Sequence, residues 1–119
     1  MSRPWSPQEV EERLEKGVDA LDEAAADYLT IKTAASAAKA DLELSKARAM
    51  LRFRSQDPRA PKHILEANVT VECEQELREA LLTDATEEGA RRALDTMKTQ
   101  VEALRTLLVQ SRGVIDPRR

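Results

Sequence analysis

Apolar residues recur every seven positions along the first half of the chain, and no proline interrupts them between Pro7 and Pro58. Two sets share one helical face: Leu14, Leu21, Tyr28, Ala35, Leu42 and Ala49, with Val10, Val18, Ala25, Ile31 and Ala38 beside them. A seven-residue apolar repeat is typical of an α-helix packed in a left-handed coiled coil. It predicts one helix from about Pro7 to about Arg54, roughly 70 Å long at 1.5 Å per residue.

The start of this helix is marked by the sequence Ser6-Pro7-Gln8-Glu9. Serine is a favoured N-cap, proline suits the first helical position, and a glutamate three residues after the serine closes a capping box. Trp5 precedes the cap, and two roles are open for it. It either packs near the first turn or anchors the chain in a protein partner.

The composition supports a long helical protein. Charged residues make up 34% of the chain and aromatic residues 3%, and there are three glycines in 119 residues. Such a composition is typical of coiled coils. A core built from alanine and scattered leucine is thin, and a chain of this size buries little area. We therefore expect a homo-oligomer in which part of the apolar stripe is buried between subunits.

The segment SQDPRAP breaks the helical pattern, because each proline removes a backbone donor and disfavours helix in the residue before it. It predicts a turn over residues 55–61, at which the chain reverses. Helix 2 is expected over about 62–82. Its apolar residues are spaced by four: Leu65, Val69, Cys73, Leu77 and Leu81.

A second capping box, Asp84-Ala85-Thr86-Glu87, predicts a third helix over about 85–112. Helices 2 and 3 are either separate or one helix with a weak break at Thr83 to Ala85. Helix 3 has a regular seam: Ala90, Leu94, Met97, Val101, Leu104, Leu108 and Ser111. Five of these are the predicted oligomerisation residues: Leu94, Met97, Val101, Leu104 and Leu108. Gly113 is the expected C-cap, followed by a short tail.

The predicted fold is all-α, an elongated helical hairpin with coiled-coil seams in a single domain, residues 1–119. An enzyme is not expected, because one histidine, one cysteine and three glycines supply no catalytic triad, metal site, cofactor site or phosphate-binding loop. No stretch is as apolar as a membrane span, and the N-terminus lacks the apolar region of a signal peptide. We expect a soluble cytoplasmic protein without a membrane partner.

Positive charge is concentrated in residues 46–62, which we call the basic turn. This segment carries six bases and one acid, whereas residues 64–84 carry one base and six acids. The bases are Lys46, Arg48, Arg52, Arg54, Arg59 and Lys62. Phe53 lies between two arginines, where its ring could stack an unpaired base while the cations hold phosphates. Two alternatives stay open: a solvated helix end that complements the helix dipole, and a Phe53 that closes the core.

Two short elements are similar to those of a known family. Lys46-Ala47-Arg48 lies near the end of the first long helix, and Ser111-Arg112-Gly113 near the end of the last. In order, separation and helical context they resemble elements of the UvsY-type recombination mediators of bacteriophages. The resemblance implies that the Lys-Ala-Arg region binds single-stranded DNA and that the C-terminal helix assembles a closed ring.

Two functional hypotheses follow. The first is a non-enzymatic oligomer that binds single-stranded DNA and helps load a recombinase in competition with a single-strand-binding protein, inside a bacterial host cell. Its nucleic-acid contacts would be the six bases of the basic turn and Phe53. The second is a coiled-coil adaptor, or a protein that binds a host protein, with no role in nucleic-acid binding. A formal net charge of −3 is compatible with the second.

Overall fold

The computed structural model describes residues 4–115, and the side chains of residues 4–112. It contains three helices: α1 (Pro7–Gln56), α2 (Lys62–Glu72) and α3 (Glu74–Ile115). The predicted all-α helical hairpin is confirmed. α3 continues through Gly113, so this glycine does not end the helix as predicted. The expected tail falls largely on residues 116–119, which lie outside the described part of the chain.

The capping box at the start of α1 forms as predicted. The backbone N–H of Glu9 donates to Ser6 Oγ at 3.2 Å, and the backbone N–H of Ser6 donates to Glu9 Oε2 at 3.4 Å. Two of the donors that a helix start leaves without an internal partner are thereby satisfied. The side chain of Ser6 therefore determines where α1 begins.

The connection between α1 and α2 is short and held by local hydrogen bonds. The N–H of Asp57 donates to the carbonyl oxygen of Phe53 at 2.9 Å, and that of Ala60 donates to Asp57 at 3.2 Å. The Asp57 carboxylate accepts the N–H of Arg59 at 3.3 Å. Pro61 stands at the N-cap of α2 in an extended conformation. α1 thus ends two residues later than predicted.

The break between α2 and α3 lies at Cys73, so the prediction of a break at Thr83 to Ala85 is wrong. Val69-Thr70-Val71 precedes the break, and β-branched residues are weaker helix formers. The Thr70 hydroxyl donates to the carbonyl oxygen of Glu66 at 2.9 Å, but Thr33 and Thr86 make the same contact inside unbroken helices, so it does not explain the break. The second capping box, Asp84 to Glu87, lies inside α3 and therefore does not start a helix.

The chain divides into two compact units. Unit 1 contains Met1–Tyr28 and Ala90–Arg119, and unit 2 contains Leu29–Gly89. In unit 1 the buried apolar residues are Val10, Leu94, Val101 and Leu108. A methyl group added at Gly17 would lie 3.4 Å from Val101 Cγ2, which shows how closely α1 and α3 approach there. An ion pair of 2.6 Å between Arg112 and Glu11 also joins the two helices.

Unit 2 has a core of mostly small side chains. The buried cluster comprises Ala38, Leu42, Ala49, Val69, Cys73 and Ala80, with Met50, Phe53 and Leu77 packed against it. Small side chains let helices approach closely. The prediction for Leu81 is wrong, because it is exposed and Ala80 is buried instead. Four residues rotate by about 400°, which is about 40° more than one full helical turn, so residues spaced by four drift gradually around the helix. A step of three residues, from Leu77 to Ala80, brings the apolar positions back to the core.

The helices of the described chain do not include one that combines the length and the apolar character a membrane span needs.

Candidate nucleic-acid interface

The basic turn lies entirely in unit 2. It comprises the C-terminal three turns of α1, the connecting segment and the first residue of α2. The heptad repeat keeps this end of α1 helical, and the two prolines that follow force the turn. The six cations therefore lie on one continuous segment, formed by a helix end, a turn and the start of the next helix.

The cations of α1 are distributed around the helix. Each residue advances about 100°, so Arg48 and Arg52 lie about 40° apart on one side, and Arg54 lies on another. Lys46 lies closer to the buried face and is partly covered. The basic turn is thus a positively charged helix end rather than a single charged stripe.

Three of the six cations pair with acidic side chains. Arg52 Nη2 lies 2.6 Å from Glu72 Oε1, Lys46 lies 3.7 Å from Glu43, and Lys62 lies 3.9 Å from Glu66. All three pairs are solvent-exposed, and such pairs contribute only about 0–1 kcal/mol each. A phosphate group can therefore replace the carboxylate partner at low energetic cost.

Arg54 stabilises the turn itself. Its Nη1 donates to the carbonyl oxygens of Pro58 and Ala60 at 3.1 and 3.0 Å. These contacts satisfy acceptors in a segment that lacks helical hydrogen bonding. Arg54 therefore serves as a positioning residue for the turn, a role that sequence reasoning missed because it depends on where the backbone carbonyls point.

Arg48 and Arg59 are the cations best placed to bind an anion. Both are exposed, and within the described residues neither side chain forms an ion pair. The backbone N–H of Arg59, rather than its guanidinium, contacts Asp57. Both guanidinium groups are free to contact phosphate without breaking an existing interaction.

Phe53 is partly buried against the hydrophobic cluster of unit 2. The guanidinium carbon of Arg52 lies over its ring, 5.1 Å from the centroid. The ring thus has the core on one side and a cation on the other. This placement favours the alternative in which Phe53 closes the core, and it makes Phe53 a support for Arg52. Base stacking on Phe53 stays a prediction.

The five residues predicted to mediate oligomerisation lie in unit 1. Leu94, Val101 and Leu108 are buried within the chain, and Met97 and Leu104 are half-buried. These residues therefore pack mainly against other residues of the same chain. Assembly through these residues stays a prediction.

An apolar groove in unit 1 has no counterpart in the sequence predictions. It encloses about 600 Å³, and its lining includes Trp5, Gly17, Met97, Leu104 and Leu107. Arg13 lies over the Trp5 ring, 4.1 Å from the centroid. The contact holds Trp5 at the first turns of α1, although the ring remains 42% exposed. The sequence feature that could have indicated this groove is Trp5, an aromatic residue one position before the helix cap.

Cys73 is buried, and burial raises the pKa of its thiol, with the neighbouring Glu76 and Glu72 adding to the effect. A raised pKa lowers the thiolate fraction and hence the reactivity of the thiol. Among the described residues, no group of three or more His, Cys, Asp or Glu side chains could hold a metal ion. Cys73 is accordingly a small core residue.

No family model matches the chain, and no curated protein or solved structure is significantly similar to it.

Proposed function

We propose that this chain is a non-enzymatic, oligomeric accessory protein that binds single-stranded DNA through the basic turn. In this proposal it acts as a recombination mediator in the cytoplasm of a bacterial host, similar to the UvsY-type family, and helps load a recombinase in competition with a single-strand-binding protein. The observation that carries the proposal is the concentration of six cations around one helix end. Arg48 and Arg59 there have exposed guanidinium groups free of ion pairs to described residues.

The charge distribution supports a polyanionic ligand. Residues 46–62 carry six bases and one acid, whereas residues 64–84 carry one base and six acids. A positive site beside a negative region focuses the local field and attracts polyanions. The acidic residues after the basic turn discourage extended binding of DNA along α2 and the start of α3, so the strand is expected to meet the protein at the basic turn.

The arrangement of the cations favours a flexible strand over duplex DNA. Arg48 and Arg52 lie on one side of α1, whereas Arg59 and Lys62 belong to the turn and the start of α2. Duplex DNA has a persistence length of about 50 nm and meets such a helix end from one side only. A single strand can follow the cations around the turn. Several such turns in one oligomer would add avidity.

The cations have different roles in this proposal. Arg48 and Arg59 bind phosphates directly, and Arg54 holds the turn in shape. The remaining bases exchange a carboxylate partner for a phosphate: Lys46, Arg52 and Lys62. The acidic part of α1 before residue 29 is the proposed surface for the recombinase and the single-strand-binding protein.

Arg59→Ala combined with Lys62→Ala tests the DNA site. Each lost phosphate contact reduces the slope of log affinity against log salt by about 0.7 for single strands. We expect the double variant to reduce the slope by about 1.4 and to weaken binding on the order of tenfold near 0.1 M salt. Fluorescence anisotropy of a labelled oligonucleotide over a salt series measures both quantities.

A matched control removes two positive charges elsewhere. Arg78 and Arg105 are exposed helical arginines, each paired with a glutamate on its own helix. Arg78→Ala with Arg105→Ala changes the net charge equally and should leave the salt slope unchanged. If the two double variants lose affinity equally, the binding is a response to net charge, and the basic turn is not the site.

The second candidate function is an adaptor that binds a protein and no nucleic acid. The apolar groove with the half-exposed Trp5 favours it, because exposed aromatic side chains beside an apolar cavity are common anchors for protein partners. A wild-type protein that does not bind oligonucleotides at low salt would support this candidate and exclude the first.

A further inference from the structure

A second heptad seam lies on the side of α1 that faces away from the core of unit 2. Its positions alternate by four and three residues and are all exposed: Thr33, Ala37, Ala40, Leu44, Ala47 and Leu51. We call this set the outer seam. Most of its members stand two residues, or about 200°, after a buried core position such as Leu42 or Ala49.

The outer seam is too apolar for a solvated helix face. Leu44 and Leu51 are 50% and 73% exposed, although leucine is usually buried. Helix propensity explains alanine at an exposed position, but it does not explain Leu44 and Leu51, two exposed leucines that lie seven residues apart opposite the core. A helix with apolar seams on two opposite sides is suited to packing against two neighbours. The described residues cover the core-facing seam and leave the outer seam exposed.

We propose that the outer seam binds the outer seam of a second copy of this chain as an antiparallel coiled coil. In the favoured register, Leu44 lies opposite Ala47 of the partner subunit, and Leu51 lies opposite Ala40 of the partner subunit. The paired stretch is then Ala40 to Leu51, and each of its layers combines one leucine with one alanine, which keeps the helix separation constant. Thr33 and Ala37 lie outside this stretch. A parallel pair would alternate Leu–Leu and Ala–Ala layers, which require different separations.

Charge complementarity supports this occupant. Asp41 and Arg48 flank the same edge of the outer seam, and both are exposed. Within the described residues, neither forms an ion pair in the single chain. The antiparallel register places Asp41 beside Arg48 of the partner subunit twice, by symmetry. The seam therefore provides both apolar contact and a matching charge pattern for its own copy.

The contact is short, so association should be weak and depend on concentration. We expect a monomer–dimer equilibrium that shifts towards the dimer as the protein concentration rises, because small interfaces are weak and transient. This inference does not rest on nucleic-acid binding, because the dimer is expected in the absence of DNA. When DNA binds, a phosphate would replace Asp41 of the partner subunit at Arg48, since exposed ion pairs contribute only about 0–1 kcal/mol.

Sedimentation velocity over a concentration series tests the proposal. Wild type should shift from monomer towards dimer up to several hundred micromolar, whereas Leu44→Glu with Leu51→Glu should remain monomeric. The control is Val71→Glu with Leu82→Glu, since these exposed apolar residues lie on α2 and α3 and are 74% and 69% exposed. The control should dimerise as wild type does. A monomeric wild type, or a Leu44/Leu51 variant that still dimerises, would overturn the proposal.

A charge exchange tests the orientation independently of folding. Asp41→Arg alone places two arginines together in the antiparallel dimer and should raise the dissociation constant several-fold. Adding Arg48→Asp restores opposite charges and should return the dissociation constant to near the wild-type value. In a parallel dimer, Arg48→Asp would instead face Glu43 of the partner subunit. Absence of recovery in the double variant therefore contradicts the antiparallel arrangement.

Discussion

Replacing Leu65 with alanine is expected to lower the free energy of unfolding by about 2–5 kcal/mol. Leu65 belongs to the first turn of α2 and is only 1% exposed, so the substitution leaves a cavity next to the basic turn. Small domains have a net stability of about 5–15 kcal/mol, so the loss is a large share of the total. Urea unfolding followed by far-ultraviolet circular dichroism measures the change.

The neighbouring residue provides the control for this prediction. Ile64 is 45% exposed, and Ile64→Ala should cost no more than about 1 kcal/mol. The two substitutions remove similar apolar groups from adjacent positions of one helix. Equal losses at both positions would mean that α2 does not turn Leu65 towards the core.

Phe53→Ala is expected to destabilise the chain by about 3 kcal/mol, at the lower end of the range for a fully buried phenylalanine. Phe53 is only partly buried, but it packs on the hydrophobic cluster, and its ring contacts the Arg52 guanidinium group. Phe53→Leu retains an apolar side chain of similar size and should cost less than about 1.5 kcal/mol. Thermal or urea unfolding distinguishes the two variants.

DNA binding by Phe53→Leu then separates packing from stacking. We expect this variant to bind single-stranded DNA as wild type does, because the ring is already occupied by the core and by Arg52. Loss of a stacked base would instead reduce affinity by about 1–3 kcal/mol with little change in the salt slope. That result would reinstate the stacking role that the sequence predicts.

The long heptad repeat made α1 predictable. All of the positions that the repeat indicates, from Val10 to Ala49, are buried or half-buried, and the capping box and the two prolines mark both ends to within two residues. Each of these features depends on residues that are close in sequence or regularly spaced along one helix. They can therefore be recognised without knowing which other segment the helix packs against.

The break at Cys73 could not be predicted in the same way. No proline or glycine lies near it, and the local signal is the short β-branched run Val69-Thr70-Val71, which is too weak to predict a break. The Asp84 to Glu87 segment, in contrast, satisfies the capping pattern and still lies inside α3. A capping sequence starts a helix only where the preceding chain leaves the helical conformation, and here it does not.

The candidate site was predictable in its charge but not in its contacts. The sequence places six cations together, whereas the ion pair of Arg52 with Glu72 and the hydrogen bonds of Arg54 to the turn depend on the tertiary arrangement. The apolar seams are also only partly predictable from the sequence. A repeat shows which face of a helix is apolar, but it does not show whether that face packs within the chain or against another molecule. The helix 3 seam, including Val101, is largely covered by the chain itself, and a second seam on α1 is exposed.

The central claim, binding of single-stranded DNA at the basic turn, is tested most directly by fluorescence anisotropy of the wild-type protein. Labelled single-stranded and duplex oligonucleotides of equal length are titrated across a salt series. The account predicts preferential binding of the single strand, with an affinity that falls steeply as salt rises. No binding at low salt, or equal affinity for duplex and single strand, would contradict it.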